Sequence, residues 1–426
     1  MMSSKTAADI RESLRLFFLQ NPHIERWIVA YSGGLDSSLL LKLCSEILPS
    51  DRLSTLHINH QLQSASDQWE SFCAECSAQW GVPFESQKVT CDSSSEESAR
   101  QARYDAFIQR LNPNEGLLLA HHLDDQAETV LFNLFRGSGV NGLSGMVSNR
   151  TVGKGELFRP LLNRSKQEIE SAARELHIAW VDDPSNLDTG YTRNWIRNEL
   201  AGVLSDQWPD WKTKLAKTAV RMSEASELVE TLAQIDLGRC QLEKDILSLT
   251  ALSQLSLARK KNVIYHWLNL AGHRVGSEKQ LEAIAMLDLK TRGEWQFSKV
   301  ILRAYDEKLY LSPVVEIQQL EPLNWALSDD YVIFGSGQLR ACRAEMGLPP
   351  NMQLTIRTRI PGESVYIESR GGHVSVKKLM NEHRIPPWLR ESWPIVCSLD
   401  QVVAIPGIWL DEKVSVKDGI LLNWVV

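Results

Sequence analysis

YSGGLDSS, at residues 31–38, decides the fold, because it follows the apolar run Trp27–Ala30 and precedes a helix-like segment. The order of strand, glycine-rich turn and helix aims backbone N–H groups and the positive end of a helix at a ligand above the turn. The glycines let the backbone approach an anion, and the serine hydroxyl groups add donors. The lysine of a Walker motif is absent, so the turn suits a departing pyrophosphate better than a γ-phosphate transfer. The spacing leaves open a plain strand-to-helix turn in which Asp36 caps the helix.

Short apolar or alternating runs are interleaved with helix-like segments around and beyond this turn. The runs that predict strands are Trp27–Ala30, Leu53–Asn59, Phe84–Val89 and Leu117–Ala120. The segments that predict helices are Ser37–Ile47, Ser66–Trp80, Glu96–Leu111 and Asp125–Phe135. This alternation predicts an α/β fold with a doubly wound parallel sheet, which binds ligands at the carboxyl ends of its strands. The stretches 32–38 and 121–128 both begin at such ends, so we expect them to meet.

The rest of the chain changes character twice. A helical pattern over about 223–287 is followed by a predicted hairpin around Asp306 and Glu307, and the end from about 352 is strand-rich. A chain of 426 residues is too long for one core. We therefore predict three domains: an α/β domain at 1–215, a mainly helical middle domain at 216–345, and a small strand-rich α+β domain at 346–426.

Composition and charge limit the possible partners. The net charge of −7 argues against a nucleic-acid binder held by a diffuse positive field. Residues 351–390 nevertheless carry seven Arg or Lys against three Glu, which favours an anionic partner for this segment or a solvated face. No apolar run approaches the roughly 20 residues that cross a bilayer, and the start lacks a signal-peptide core, so we expect a cytoplasmic protein without a membrane partner. Cys73 and Cys76 form one C-x-x-C, which we interpret as a buried reduced pair.

The segment His121–Thr129, HHLDDQAET, carries an acidic pair where the fourth strand hands over to a helix. Asp125 and Glu128 are three residues apart, so both carboxylates share one face of the helix. They suit an amine or a hydrated Mg²⁺, or else they form a capping box in which Asp125 is the N-cap.

Two pairs of arginines have helical spacing. Arg193 and Arg197 suit a phosphate or carboxylate ligand, or they form salt bridges to neighbouring aspartates. Arg100 and Arg103 face either the solvent or the nucleotide phosphates, and their spacing does not decide between the two.

Together these segments resemble the tRNA(Ile)-lysidine synthetase family of the PP-loop ATP-pyrophosphatase superfamily. Residues 32–37 look like the PP-loop (Rossmann-like) motif of that superfamily, and the later motifs narrow the resemblance to the one family. The matching segments are 32–37, 121–129, 136–139, 183–186, 193–197, 377–379 and 386–390. The resemblance spans nearly the whole chain, although the middle domain matches by order and size alone.

The resemblance implies an ATP-dependent ligation on tRNA. The wobble cytidine of tRNA(Ile) with anticodon CAU is adenylated at its C2 oxygen with release of pyrophosphate, and the side-chain amine of free L-lysine then displaces AMP to give lysidine. Codon reading changes from AUG to AUA, and charging changes from methionine to isoleucine. The middle and C-terminal domains are then expected to bind the tRNA.

The resemblance also assigns roles to residues. Asp36 would hold Mg²⁺ that accompanies ATP, Asp125 and Glu128 would position the lysine, and Arg193 would bind its carboxylate, which makes these four the expected catalytic residues. Lys377, Lys378 and Arg390 are expected to touch the tRNA backbone. We assign nucleotide binding to Ser32, Gly33, Gly34, Leu35, Asp36, Ser37 and Arg103.

Other readings of the sequence stay open at this point. The Cys73–Cys76 pair raises a PP-loop tRNA thiolase as one alternative, although an iron–sulfur cluster needs more cysteine ligands. A non-catalytic RNA-binding descendant is another. The oligomeric state is not fixed by the sequence, and a homodimer is left open.

Overall fold

A computed structural model describes residues 6–61, 65–90, 96–183, 190, 192–273, 277–297, 300–314, 320–328, 330–335 and 337–425. The chain forms two compact units, Met1–Thr231 and Leu232–Val426, and the boundary falls within one long helix. Among the helices of these ranges, none combines the length and the apolar character that spanning a membrane requires.

Within its described residues, the first unit carries six strands and most of the helices. Its strands are β1 Arg26–Ala30, β2 Leu53–Asn59, β3 Phe84–Lys88, β4 Glu115–Leu118, β5 Asn149–Val152 and β6 Gly155–Phe158. Its helices are α1 Thr6–Gln20, α2 Leu35–Ile47, α3 Ser66–Gln79, α4 Glu96–Arg110, α5 Leu123–Phe135, α6 Val140–Leu143, α7 Lys166–Glu175, α8 Thr192–Trp195, a π-helix Ile196–Leu200, α9 Ala201–Gln207 and the start of α10 Trp211–Cys240.

The six strands form one sheet in the order β3-β2-β1-β4-β6-β5, in which only β5 is antiparallel to its neighbour. The central strand β1 is buried on both faces through Trp27, Ile28 and Val29, as expected for a parallel strand covered by helices. The strand order reverses between β1 and β4, and ligands of doubly wound sheets bind at such a switch point. The predicted doubly wound parallel sheet is confirmed, and the switch point lies between the two motifs of the sequence.

The second unit continues α10 and adds the remaining elements. Its strands are β7 Gln241–Glu243, β8 Ile246–Ser248, β9 Gly293–Gln296, β10 Val300–Tyr305, β11 Lys308–Pro313, β12 Leu323–Ala326, β13 Tyr331–Phe334, β14 Gly337–Leu348, β15 Gln353–Arg357, β16 Ser364–Ile367, β17 Gly372–Ser375, β18 Ile395–Ser398, β19 Gln401–Ile405, β20 Trp409–Leu410, β21 Val416–Lys417 and β22 Ile420–Val425. Its helices are α11 Leu249–Ser253, α12 Leu257–Leu270, α13 Glu278–Ala285 and α14 Val376–Glu382, with two 3₁₀ turns at Glu368–Arg370 and Pro387–Leu389.

Helices and a small sheet make up the middle of the chain. The helices α11 to α13 pack with a five-stranded sheet of order β7-β8-β11-β10-β9 around Trp267 and Leu302. The predicted hairpin is β10–β11, and its turn residues Asp306 and Glu307 both have positive φ. The strands β7 and β8 interrupt a stretch that the sequence pattern predicts as helical.

The end of the chain is strand-rich, as predicted. A five-stranded sheet of order β12-β15-β18-β19-β20 and a second sheet around the long strand β14 share one core. The hairpin around Asp306 contacts this part of the unit, because Arg384 pairs with Asp306 at 3.2 Å and the Trp388 ring packs edge-on against Tyr305 and Tyr310. The division into three domains stays a prediction.

Candidate active site

The glycine-rich turn between β1 and α2 is held by its own serine side chains. Ser32 Oγ lies 3.0 Å from Ser37 Oγ, and Ser37 Oγ also donates to the Gly34 carbonyl oxygen at 3.0 Å. Gly34 is the N-cap of α2 and no side chain caps this end. The first N–H groups of α2 have no intrahelical acceptor, as at every helix start, so they are directed at a ligand above the turn. Asp36 is therefore not the helix cap that the spacing alone allowed.

Gly33 is the position where this turn requires glycine. Its φ is +80°, in the left-handed region that other residues adopt at a cost. A Cβ at this position would come within 2.9 Å of Cys73 Sγ, so α3 packs directly beneath the turn. Both Cys73 and Cys76 are free and buried, as predicted. Burial raises the pKa of the Cys73 thiol to about 12, which keeps it protonated and inert.

Lys166 forms an ion pair with Asp36, and no motif of the sequence indicated this partner. Lys166 is the first residue of α7, and its Nζ lies 2.7 and 3.0 Å from the two carboxylate oxygens of Asp36. Its backbone N–H donates to Asp124 at 2.9 Å, and Asp124 also pairs with Lys212. The turn therefore has a lysine after all, supplied from a position 130 residues later in the chain.

The acidic segment follows β4 and begins α5. His122 is the N-cap: its ring Nδ1 accepts from the Asp125 N–H at 3.4 Å, and the Asp125 carboxylate accepts from the His122 N–H at 3.1 Å. The capping box thus joins His122 to Asp125, and the alternative in which Asp125 itself is the N-cap is wrong. Glu128 takes no part in the cap. His122 Nε2 also lies 3.7 Å from Asp36, which links the two motifs.

Arg197 holds the acidic pair together. Its guanidinium donates to both Glu128 oxygens, at 2.9 and 2.7 Å, and to an Asp125 oxygen at 3.0 Å. The residue lies in the π-helix Ile196–Leu200, and the Glu128 side chain is only 6% exposed. Asp125 and Glu128 share one face, as predicted, and Arg197 is their partner.

The two carboxylates of this pair differ in acidity. Burial raises the pKa of Glu128 above its usual value, although Arg197 opposes that rise. Burial also disfavours ionised Asp125, but His122, through its ring and its backbone N–H, and Arg197 outweigh burial and lower the pKa of Asp125. The pair therefore combines one firmly ionised carboxylate with one that holds a proton more readily.

Arg193 lies on the same segment, in α8. Its Nη2 donates to Thr129 Oγ1 at 3.1 Å, so it reaches α5 one residue beyond Glu128. The structure thus places Arg193 and Arg197 against the same helix. Residues 184–189 and Tyr191 lie outside the described residues, and with them most of the motif at 183–186.

A cleft of about 570 Å³ opens at the switch point of the sheet. The PP-loop residues Ser32, Gly34, Leu35, Asp36 and Ser37 line it together with Lys166, His121, Arg100, Arg103 and Arg197. Arg103 approaches His60 Nε2 at 3.4 Å within this cleft. The predicted nucleotide-binding residues are thus gathered at one site, apart from Gly33, whose place is in the turn beneath.

The C-terminal basic residues differ in exposure, although Arg390 donates to Asn381 of α14, the helix that carries both lysines. Lys377 and Lys378 are exposed on α14. Arg390 is half-buried and donates to the Ile385 carbonyl oxygen at 2.7 Å and to Tyr305 Oη at 3.2 Å. The contact of these residues with tRNA stays a prediction, and the position of Arg390 gives it a structural role as well.

Three family models match the chain in the order of its parts. A PP-loop domain matches residues 7–204, a TilS substrate binding domain matches 247–310, and a TilS substrate C-terminal domain matches 354–424. The tRNA(Ile)-lysidine synthase of Pseudomonas syringae pv. tomato is 35% identical over 90% of this chain and 88% of its own length. That of Coxiella burnetii is 34% identical over 95% of this chain and 94% of its own length.

The chain belongs to the tRNA(Ile)-lysidine synthase family. Its PP-loop domain implies that it uses ATP. The resemblance seen in the sequence is confirmed, and so is the fold class. The structure of a U34-tRNA thiolase from Methanococcus maripaludis matches 52% of this chain and 79% of its own, at 16% identity and a TM-score of 0.42.

The thiolase alternative is not favoured within this family. Cys73 and Cys76 are buried under the turn, and no group of three or more His, Cys, Asp or Glu side chains able to hold a metal ion occurs among the residues that the structure describes. A non-catalytic RNA-binding descendant is not favoured either, because the curated relatives bear the name of the enzyme.

Proposed function

We propose that this chain joins free L-lysine to C2 of the wobble cytidine of tRNA(Ile) with anticodon CAU. The cytidine O2 attacks the α-phosphorus of ATP, the bond between the α and β phosphates breaks, and pyrophosphate leaves. The lysine amine then attacks C2, and the C2–O bond breaks as AMP leaves with that oxygen. The product, lysidine, changes codon reading from AUG to AUA and charging from methionine to isoleucine.

The observation that carries this proposal is the proximity of two motifs at the switch point of the sheet. Arg197 lines the cleft with the PP-loop residues and donates to Asp125 and Glu128, which do not line the cleft themselves, and His122 Nε2 lies 3.7 Å from Asp36. The PP-loop turn follows β1, the acidic pair follows β4, and these strands are neighbours at the switch point. The turn suits pyrophosphate. The acidic pair suits an ammonium group, and the two sites together match a reaction that spends ATP and consumes an amine. The names of the relatives support the same activity.

Mg²⁺ fits the Asp36 end of the cleft. Its carboxylate lines the cleft, and its present partner Lys166 is a flexible side chain that is itself 35% exposed. Mg²⁺ commonly uses one or two carboxylates together with substrate phosphates and water, which matches a single Asp36 better than a cage of protein ligands. Bound there, Mg²⁺ would neutralise charge on the phosphates. Lys166, once released from Asp36, is a second cation available to the phosphates.

Asp125 and Glu128 are proposed to receive the lysine amine in the place where Arg197 now donates. The attacking amine must be neutral, so a carboxylate has to accept its proton. Glu128 is the better acceptor of the two, because burial raises its pKa whereas the pKa of Asp125 is lowered. Arg193 is proposed to bind the carboxylate of the lysine.

One assay tests the proposal directly. The chain is incubated with ATP, labelled lysine and a tRNA(Ile) transcript with anticodon CAU, and label in tRNA, AMP and pyrophosphate are measured. We expect the three products in equal amounts, and none with a transcript that carries uridine at the wobble position. Absence of label from the CAU transcript, or incorporation of sulfur from a sulfur donor instead, would refute the proposal.

Three broader expectations accompany the proposed function. The middle and C-terminal domains are proposed to hold the tRNA, which gel-shift measurements with full-length variants would test. Sedimentation velocity at several protein concentrations would test whether the chain forms a homodimer. Cell fractionation would test the expected cytoplasmic location.

A further inference from the structure

His121 is a cleft residue that the proposed reaction has not used. It lies between β4 and α5, one residue before the N-cap His122, and its side chain lines the same cleft as Asp36 and Lys166. What this ring can do for a ligand depends on which of its nitrogens carries a proton and on whether the ring is charged.

Arg159 decides which nitrogen carries the proton. This residue follows β6 and is only 5% exposed. It donates to His121 Nδ1 at 3.2 Å, to the Val147 carbonyl oxygen at 2.7 Å and to Tyr104 Oη at 3.3 Å. A guanidinium has donors only and stays charged, so His121 Nδ1 must be the acceptor. The single proton of the neutral ring is therefore on Nε2.

The surroundings keep this ring neutral. Burial, opposed by Asp125 and aided by Arg159, Arg100 and Arg193, lowers the pKa of His121 to about 3. At neutral pH the ring is thus no cationic acid, and Nδ1 is already taken by Arg159, so it is no base either. Among the residues that the structure describes, none accepts a hydrogen bond from Nε2, which leaves the Nε2–H group for a ligand of the cleft.

Positive charge around His121 indicates what that ligand atom is. The guanidinium groups of Arg100 and Arg150 lie 5.0 and 4.9 Å from the centre of the Tyr104 ring, and Arg159 donates to its hydroxyl group. Within the described part of the chain, none of these three arginines forms an ion pair with a carboxylate. Arg100 and Tyr104 line the cleft together with His121, and Arg150 and Arg159 join Arg100 around the Tyr104 ring. This local excess of positive charge favours an anionic oxygen.

We propose that His121 donates a hydrogen bond through Nε2–H to a phosphate oxygen of the bound nucleotide, and that Arg159 is the positioning residue that fixes this tautomer. The inference rests on the proposed function for the identity of the nucleotide. A fixed neutral donor stabilises charge that grows on a phosphate oxygen without itself giving up a proton.

The tautomer can be measured without catalysis. In the full chain labelled with ¹⁵N-histidine, nitrogen chemical shifts distinguish a protonated Nε2 from a protonated Nδ1, and the His121→Gln spectrum assigns the signal. We expect Nε2–H in the wild type, the same state in Arg159→Lys, which keeps one donor, and a mixture of tautomers in Arg159→Met. A protonated Nδ1 in the wild type would overturn the inference, and so would an unchanged tautomer in a folded Arg159→Met variant.

Kinetics test the donor itself. The amide nitrogen of glutamine lies where Nε2 lies, whereas that of asparagine lies where Nδ1 lies. We expect His121→Asn to lose about 10²–10³ in kcat, as for other single donors to a developing oxyanion, and His121→Gln to be at least about tenfold more active than His121→Asn. His23→Gln is the matched control, because His23 does not line the cleft and pairs with Glu156. Equal activity of the glutamine and asparagine variants would overturn the inference.

The two proposals fail in different ways. A wild-type chain that forms no lysidine refutes the proposed function, and the nitrogen shifts still decide the tautomer. A wild-type chain that forms lysidine, with equal variants at His121, overturns the inference alone.

Discussion

Replacing Arg197 by methionine removes the charge that the acidic pair shares and keeps most of the apolar stem. In the structure the guanidinium donates twice to Glu128 and once to Asp125, and the Glu128 and Asp125 side chains are only 6% and 20% exposed. The change therefore leaves two poorly hydrated carboxylates beside each other without their cation. We expect the first unit to lose stability around α5, and to lose it in a pH-dependent way.

The size of the loss follows from the geometry. Two unit charges about 4 Å apart interact with about 4 kcal/mol at an effective dielectric constant of about 20, and Arg197 is 37% exposed, so water screens part of this. Removing Arg197 while both carboxylates stay is then expected to lower the free energy of unfolding by about 2 kcal/mol at pH 7.5.

The sign of the pH dependence is fixed by the two carboxylates. The pKa of folded Glu128 is already raised, and loss of Arg197 raises it further, so ionising Glu128 destabilises the folded variant as pH rises above the unfolded value of about 4.3. The pKa of folded Asp125 is lowered, and the stability that this contributes above the unfolded value of about 3.9 shrinks without Arg197. Both effects make the variant weakest at neutral pH. The Glu128 part of the gap to wild type closes as the pH falls through the raised pKa of Glu128, whereas the Asp125 part persists until the pH falls below about 3.9, toward the lowered pKa of folded Asp125.

Hydrogen exchange of the peptides that cover α5 measures the free energy of opening at pH 5.0 to 8.0. The expected result is a gap between wild type and Arg197→Met that narrows steadily toward low pH. Lys214→Met, which removes a cation from an exposed pair with Asp210 in the same unit, serves as the control and should track the wild type. A gap of constant size across the pH range would mean that only packing was disturbed, and the reasoning about the acidic pair would then be wrong.

Four further outcomes are expected. Asp36→Ala should abolish pyrophosphate release while tRNA affinity stays within about twofold, because a carboxylate that holds Mg²⁺ on the nucleotide acts on the chemistry rather than on the RNA. A pyrophosphate assay and a gel shift measure the two effects. Abolished tRNA binding with normal pyrophosphate release would contradict this prediction. Arg193→Ala should raise the KM for lysine at least about tenfold more than the KM for ATP, as removal of a charge-assisted hydrogen bond to one ligand predicts, and equal effects would point to a role at a phosphate. Lys166→Met should raise the KM for ATP and lower kcat together, because it removes a cation from the phosphate end of the cleft, whereas a pure stability defect would leave both constants unchanged per folded molecule. Lys377→Ala with Lys378→Ala should flatten the dependence of tRNA affinity on salt by roughly 0.7–0.9 for each phosphate that the protein no longer neutralises, and an unchanged slope would leave both as surface charges.

Local patterns in the sequence are enough to find the sheet and both motifs. The four predicted strands match β1 to β4 within two residues at each end, because each is a short apolar or alternating run. The helix α1 is not among the predicted elements, although its buried residues Ala7, Ile10 and Leu14 follow a helical period. The hairpin β5–β6 is not among them either, although Gly153 marks its turn with a φ of +60°. Both elements carry a readable signal.

The partners of the site carry no such signal. Lys166 reaches Asp36 over 130 positions, and Arg159 reaches His121 over 38. The N-cap of α5 is also His122, whose ring accepts from the Asp125 N–H, and not Asp125 as the capping-box alternative had it. Interactions of this kind depend on how the helices pack against the sheet. The periodicity of the sequence does not show which distant cation lies beside a given carboxylate.

The sequence thus identifies the carboxylates of the site but not most of the cations that pair with them, and this difference bears on how the site operates. In the structure, Asp36 pairs with Lys166, Asp124 with Lys212, and the pair Asp125 and Glu128 with Arg197. A site that must receive a metal cation and an ammonium group from its substrates needs several carboxylates close together, yet like charges at short range disfavour the ionised state. Internal cations offset this repulsion and can be displaced by a better-placed charge. Replacing a cation such as Arg197 disturbs the assembly of the site and leaves its carboxylates in place, whereas replacing a carboxylate disturbs both the assembly and the proposed chemistry. Substitutions of the cations therefore distinguish the two.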